Sequence, residues 1–249
     1  MSTTTEAPPQ HDLPAGQEPP KHWKLGGFPD RRHVQQAAIT IGIILVVIWL
    51  VQFVNAATGY RLDNVFGLQP RDLMSLPMIF TDPFLHLSWS HIIGNSEVLV
   101  PVGFLAAYRS LVKFAWVSVA IIVVSGLFVW LVSPSGGVTV GASAVIAGWL
   151  GYVILRGWFD RCAIDLIAGV VCVFLFLPLV QLVPNGDATS WQGHLSGIIV
   201  GMACAYFLSD RSPVKVRKHI ADVNKRAEGL HVQEKLTKIH DDYSKRSTS

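Results

Sequence analysis

Long apolar runs broken by short polar or charged stretches dominate this chain, and they fall near residues 37–56, 91–108, 114–132, 141–155, 163–183 and 194–208. A helix rises about 1.5 Å per residue, so roughly 20 apolar residues cross a hydrocarbon layer of about 30 Å. Most of the six runs reach or approach that length, and the pattern predicts an all-α, polytopic membrane protein with six transmembrane helices. The fourth run is short for a crossing, and Pro134-Ser135-Gly136-Gly137 leads into it as loop sequence. Non-helical backbone at membrane depth is tolerated where protein or a wet cavity surrounds it. A short helix entering beneath such a cavity is therefore expected.

The flanks read differently. Residues 1–34 mix Thr, Pro, Gln and charges with no apolar period, and cannot bury enough surface to offset chain entropy. They are expected to form a disordered tail, residues 35–209 the membrane domain, and residues 210–249 a basic tail. That last segment carries a weak helical pattern through Ile220, Val223, Leu230 and Leu236, read as a solvated helix with contact to anionic lipid as the alternative. The first run lies too far from the start for a cleaved leader and is expected to stay as an anchor.

Charge sets the orientation. Lys21, Lys24, Arg31 and Arg32 precede the first run; Arg109 and Lys113 follow the second; Arg156 and Arg161 follow the fourth; ten more Lys and Arg follow Asp210. In a six-span arrangement all of these share one side, with Arg61 and Arg71 on the other, which predicts both termini in the cytoplasm and the chain in the plasma membrane. Composition agrees, with 51% hydrophobic residues against 15% charged. A net charge of +3 without a nucleic-acid-binding motif excludes nucleic acid as a partner. Cys162, Cys172 and Cys204 have no metal-type spacing and are expected as free thiols.

Runs two, four and six then enter from the outer face. His91 and Asn95 stand at the start of the second, Ser143 in Gly141-Ala142-Ser143-Ala144 at the start of the fourth, and His194 in Gly193-His194-Leu195-Ser196-Gly197 at the start of the sixth. Counting back to Arg156, Arg109 and Asp210 places Ser143, Asn95 and His194 about 20, 21 and 24 Å above the inner boundary, so the site is submerged. Small residues recur at Ser143, Ala147 and Gly151 and at His194, Gly197 and Gly201, a spacing that lets two helices approach closely and brings the serine to the histidine.

A serine hydroxyl becomes a useful nucleophile when a neutral imidazole takes its proton, and attack on an amide then creates an oxyanion that needs preplaced donors. His91 and Asn95, one turn apart on one helix face, can donate from side chains, and Ser143 from its backbone N–H. No acid stands at the outer ends of these runs to orient His194, which predicts a dyad rather than a triad. His-Glu-x-x-His is absent, and His86, His91 and His194 were the sole histidines placed for a metal; no metal and no cofactor is expected. His86 is read as a loop histidine at the interface. Glu97 is expected to have a role or a buried partner, Asp160 and Asp165 to be boundary charges, and Trp23, Trp89 and Trp191 to be interfacial anchors.

The stretch His86-Leu87-Ser88-Trp89-Ser90-His91-Ile92-Ile93-Gly94-Asn95, the Gly141-Ala142-Ser143-Ala144 motif and the Gly193-His194-Leu195-Ser196-Gly197 motif with Gly201 together resemble the rhomboid intramembrane serine proteases, in order and spacing, over residues 37–208. The resemblance implies a six-span rhomboid-like bundle with Ser143 as nucleophile, His194 as base, and His91, Asn95 and the Ser143 N–H around the oxyanion. It implies single-span or multi-span membrane proteins as substrates within the lipid bilayer, cut near the outer end of a transmembrane helix. The chain departs from the family at Ala147, where an aromatic often packs on the histidine, leaving Trp191 as the candidate to orient it. It also lacks a Trp-Arg pair after the first run, where Pro77–His86 takes similar territory. In the family the fifth-to-sixth connection, here with the turn Asn185-Gly186-Asp187, caps the site. Two readings from other classes stay open: a protease-like protein that binds transmembrane helices without cutting them, and a small transporter, against which stands the lack of an inverted repeat.

Overall fold

The computed structural model describes residues 30–176, 191–210 and some positions between 218 and 237. The regular elements of the described residues are helical: α1 (Arg31–Ala57), α2 (Arg61–Phe66), two 3-10 turns (Leu73–Phe80 and Asp82–Phe84), α3 (Trp89–Ala107), α4 (Leu111–Val132), α5 (Ser143–Phe159), α6 (Ala163–Phe176) and α7 (Trp191–Leu208). Among the described residues the one β-type pairing is an isolated antiparallel bridge between Leu68 and Thr139. Helices α1 and α3 to α7 fall on the six expected runs. The first starts earlier than expected, at Arg31, inside the segment read as tail. Residues 1–29 with Trp23, residues 177–183, the Asn185-Gly186-Asp187 turn, and Ile220, Leu230 and Leu236 lie outside the described residues. Val223 is helical and exposed.

Two helices, α1 and α4, are long and apolar enough to cross a membrane, and only 22% of each apolar window is buried. Ile39, Ile43, Leu50 and Phe53 on α1 and Val112, Trp116 and Leu131 on α4 point away from the bundle. Such faces need an apolar surrounding. Helix α5 is their opposite. Val145 to Val153 is buried without a break, as befits a helix that is apolar on every side and enclosed by α3, α4, α6 and α7.

Capping fixes where the helices begin. Ser88 Oγ accepts from the His91 N–H at 3.1 Å and Ser110 Oγ from the Lys113 N–H at 3.3 Å, which closes the first turns of α3 and α4. The far ends of the bundle are tied by charge. Asp165, expected as a boundary charge, is instead fully buried at the start of α6. It accepts from the Tyr108 hydroxyl, from Arg109 Nε at 2.7 Å, and pairs with Arg156 Nη2 at 3.2 Å, while Arg156 also donates to the Leu105 carbonyl at 2.8 Å. A buried carboxylate needs such partners, and here they join α3, α5 and α6 at one end.

The connection from α1 to α3 has no long periodic segment, and its backbone is held by specific bonds. Asn55 Nδ2 donates to Asp63 Oδ1 at 2.8 Å and to the His86 carbonyl at 3.4 Å. Arg71 Nη2 donates to the Ser133 carbonyl at 2.7 Å, and Trp130 Nε1 to the Asp72 carbonyl at 2.9 Å. Leu68 and Thr139 exchange both bonds, at 3.0 and 2.8 Å, and the Gly141 N–H donates to the Asp82 carbonyl at 2.9 Å. The strand-like residues before Ser143 are thus fastened on both sides, which fixes where α5 starts.

Candidate active site

Ser143 is the first residue of α5 and His194 the fourth of α7, and His194 Nε2 lies 2.8 Å from Ser143 Oγ. His194 is 1% exposed, so its ring is held inside the bundle while Ser143 faces a cavity. Closeness of the two backbones makes the contact. A Cβ on Gly197 would overlap the Ala144 carbonyl, and one on Gly201 the Gly148 carbonyl. From the other side, a Cβ on Gly148 would stand 2.9 Å from Gly197 O, and one on Gly151 2.7 Å from Ile198 O. The seam therefore runs through Ala144, Gly148 and Gly151 against Gly197 and Gly201. Ala147, named from the sequence for this row, is fully buried one position beside the tightest contact.

Gly141 explains the first glycine of its motif twice over. Its φ of 124° is a conformation that side chains resist, and a Cβ there would stand 2.8 Å from His91 Cε1 and 3.5 Å from Asn95 Nδ2. The same distances show that His91 and Asn95 on α3 reach the strand-like segment leading into Ser143. Asn95 is 8% exposed, and its Nδ2 has no partner among the described residues. A buried amide donor left over next to Gly141, two residues before Ser143, is available to an incoming acceptor.

His86 is no interfacial loop residue. It is fully buried, its ring meeting that of His91 edge-on at 5.0 Å between centroids. Burial, together with the neighbouring His91, pushes its pKa down to about 3, so the ring is neutral at physiological pH. Glu97 also departs from expectation, for it is exposed on the outer face of α3 rather than buried with a partner. Trp89 packs on Phe53 with centroids 5.2 Å apart, and Trp191 is half-buried, three residues before His194. The three cysteines are free thiols.

A cavity of about 320 Å³ opens beside Ser143 and His91, walled by α4 and by the segment 138–141. Two of its polar residues, Asp82 and Ser125, were not singled out in the sequence. Their signals were faint: an Asp-Pro in a loop, and a Ser-Gly within an otherwise apolar helix.

A sequence model of the Rhomboid domain matches residues 74–211. An uncharacterized protein of Mycobacterium tuberculosis is 34% identical over 179 residues, covering 68% of this chain and 74% of its own length. An uncharacterized protein of Mycobacterium bovis matches to the same extent. One from Mycobacterium leprae is 32% identical over 198 residues, or 75% of this chain and 73% of the relative. The chain belongs to the rhomboid family, whose members are in general intramembrane serine proteases acting on membrane-protein substrates. It is a membrane protein built on an all-helical fold.

Proposed function

We propose that this protein is an intramembrane serine endopeptidase that hydrolyses a peptide bond in or near the outer end of a substrate's transmembrane helix. The 2.8 Å contact between His194 Nε2 and Ser143 Oγ carries the reading. Neutral His194 takes the hydroxyl proton as Ser143 Oγ attacks the scissile carbonyl. The carbonyl oxygen becomes an oxyanion, received by the Ser143 N–H and by the side chains of His91 and Asn95. His194 then passes its proton to the leaving amine, the C–N bond breaks, and Ser143 is left acylated. Water, deprotonated by His194, attacks the ester and releases the new carboxyl end. The unpaired Nδ2 of Asn95 supports its part in this scheme. Trp191, three residues before His194 on α7, supplies a surface to orient the imidazole in place of the aromatic absent at Ala147.

Around this chemistry α1 and α3 to α7 form six spans with both termini in the cytoplasm, and the protein resides in the plasma membrane. The outward apolar faces of α1 and α4 support the lipid setting. The helix termini that carry Ser143 and His194 open together, toward the side on which Arg61 and Arg71 lie. Reconstituted with a single-span substrate in liposomes, the wild-type protein is expected to release two fragments, and Ser143→Ala none while remaining monodisperse and folded. Equal cleavage by Ser143→Ala refutes the assignment.

A further inference from the structure

Ser125 and Asp82 are among the polar side chains of the cavity beside Ser143 that hydrolysis does not use. Ser125 on α4 is 2% exposed, lines the cavity, and its hydroxyl has no partner among the described residues. Serines in apolar helices usually turn the hydroxyl onto the carbonyl one turn back. Among the described residues Ser96 does so to the Ile92 carbonyl at 2.7 Å, Ser118 to the Phe114 carbonyl at 2.8 Å and Ser196 to the Gly193 carbonyl at 3.1 Å, and the first two also accept from a tryptophan. Ser125 does neither.

Asp82 lines the same cavity. Its position is fixed by its own carbonyl, which accepts from the N–H of Gly141 at 2.9 Å and of Leu85 at 3.2 Å. Three other aspartates of the membrane domain use their carboxyls: Asp63 accepts from Asn55, Asp72 from the Met74 N–H, and Asp165 from Tyr108 and Arg109. The Asp82 carboxyl has no such bond among the described residues, and burial pushes it well above the usual carboxylate range. The wall also carries the aliphatic side chains of Ile121, Ile122, Val129 and Val140, with Ser88, Ser90 and Thr139 as further polar members.

We propose that Asp82 and Ser125 form a polar subsite that selects substrates bearing a side-chain hydrogen-bond donor, an amide, hydroxyl or ammonium, at a residue flanking the cleaved bond. This rests on the proteolytic reading of Ser143 and His194 and adds a substrate class to it. An apolar side chain filling the cavity would shut off both groups from water without giving either a partner, whereas a donor satisfies the carboxyl and leaves Ser125 to bond the same group or the carboxyl. Sites built around a hydrogen bond discriminate strongly against analogues that lack it. Ile121, Ile122, Val129 and Val140 accept the carbon skeleton of either kind of side chain, and the unpartnered Asp82 carboxyl and Ser125 hydroxyl set the choice.

The experiment uses full-length protein in liposomes and a single-span substrate. The residues on either side of the cut are changed in near-isosteric pairs, Asn against Leu and Gln against Met. For wild type, kcat/KM for the donor-bearing member is expected to exceed that for its apolar partner about tenfold or more at one of the two positions. Asp82→Leu is expected to bring that ratio to about one or below, and Ser125→Ala to lower it about threefold. A wild-type ratio of one or less at both positions overturns the proposal, as does a ratio that neither substitution moves. If Asp82→Leu does not fold, the wild-type ratio and Ser125→Ala decide. Absence of cleavage of every substrate by wild type overturns the proteolytic reading and this one together, whereas cleavage without the preference overturns this one alone.

Discussion

Substituting Gly201 by alanine places one methyl group where α7 crosses α5. The added carbon would overlap the Gly148 carbonyl and stand 3.0 Å from Gly148 Cα, whereas ordinary contact begins near 3.4 Å. The partner is backbone on both sides and has no rotamer to yield, so the helices must part by about 1 Å or more. His194 lies seven residues, or about two turns, nearer the start of α7 and moves with it. A 2.8 Å contact stretched by that amount passes beyond hydrogen-bonding range. Overpacking of this kind is worth about 1–3 kcal/mol of stability. A displacement of about 1 Å between catalytic groups lowers turnover on the order of 100-fold. Thermal unfolding in detergent reads the first effect, and kcat/KM on a reconstituted single-span substrate the second. Gly42→Ala on α1 is the control, because a Cβ there meets nothing within 4 Å and alanine suits a helix better. Wild-type turnover and stability in Gly201→Ala would refute the claim that backbone contact sets the serine–histidine distance.

Gly141→Ala combines a φ of 124° with a clash against His91, and is expected to lose about 1–3 kcal/mol of stability and at least about tenfold in activity, read by unfolding and cleavage assays. Asp165→Ala strips the nearly buried Arg156 of its carboxylate, so the midpoint of thermal unfolding should fall by the equivalent of about 3–5 kcal/mol; adding Arg156→Met should recover part of it. Burial and the neighbouring His91 push the His86 pKa from the ordinary 6.5 down to about 3 in the folded protein. Between those values the unfolded chain binds a proton that the folded one does not, so stability is full above about pH 6.5 and declines as pH falls. Against His86→Gln, wild type should show an added loss of up to about 1.4 kcal/mol per pH unit in that window, measured by denaturation across pH.

How much of this the sequence made legible depends on the kind of signal. Ser143 and His194 stood out because each is polar, framed by glycines and placed at the head of an apolar run. The structure brings them together. Gly151, Gly197 and Gly201, picked out by spacing, stand in the seam, while Gly148 rather than Ala147 makes the close contact on α5: that helix is buried all round, and with Ala144, Ala147, Gly148 and Gly151 all small, spacing alone does not say which stripe meets α7. His86 and Asp165 were misplaced for a common reason. A polar residue near a run's end looks interfacial in sequence, and only the tertiary fold showed that Asn55, His91, Arg109 and Arg156 enclose them. Glu97 erred the other way, since a costly carboxylate was assumed to be sheltered. The connection from Gly59 to Leu87 gave no period to read, being short turns held by side-chain-to-backbone bonds. Asp82 and Ser125 lie far apart in sequence, with nothing in either neighbourhood to pair them.

The central claim is that Ser143 is a nucleophile activated by His194. Its most direct measurement is labelling of the purified protein with a fluorophosphonate in detergent or lipid, followed by mass spectrometry of the adduct. The account predicts a single adduct on Ser143 in wild type, lost in Ser143→Ala and strongly reduced in folded His194→Ala. No adduct on Ser143 in the folded wild-type protein, or labelling of His194→Ala at the wild-type rate, would contradict it.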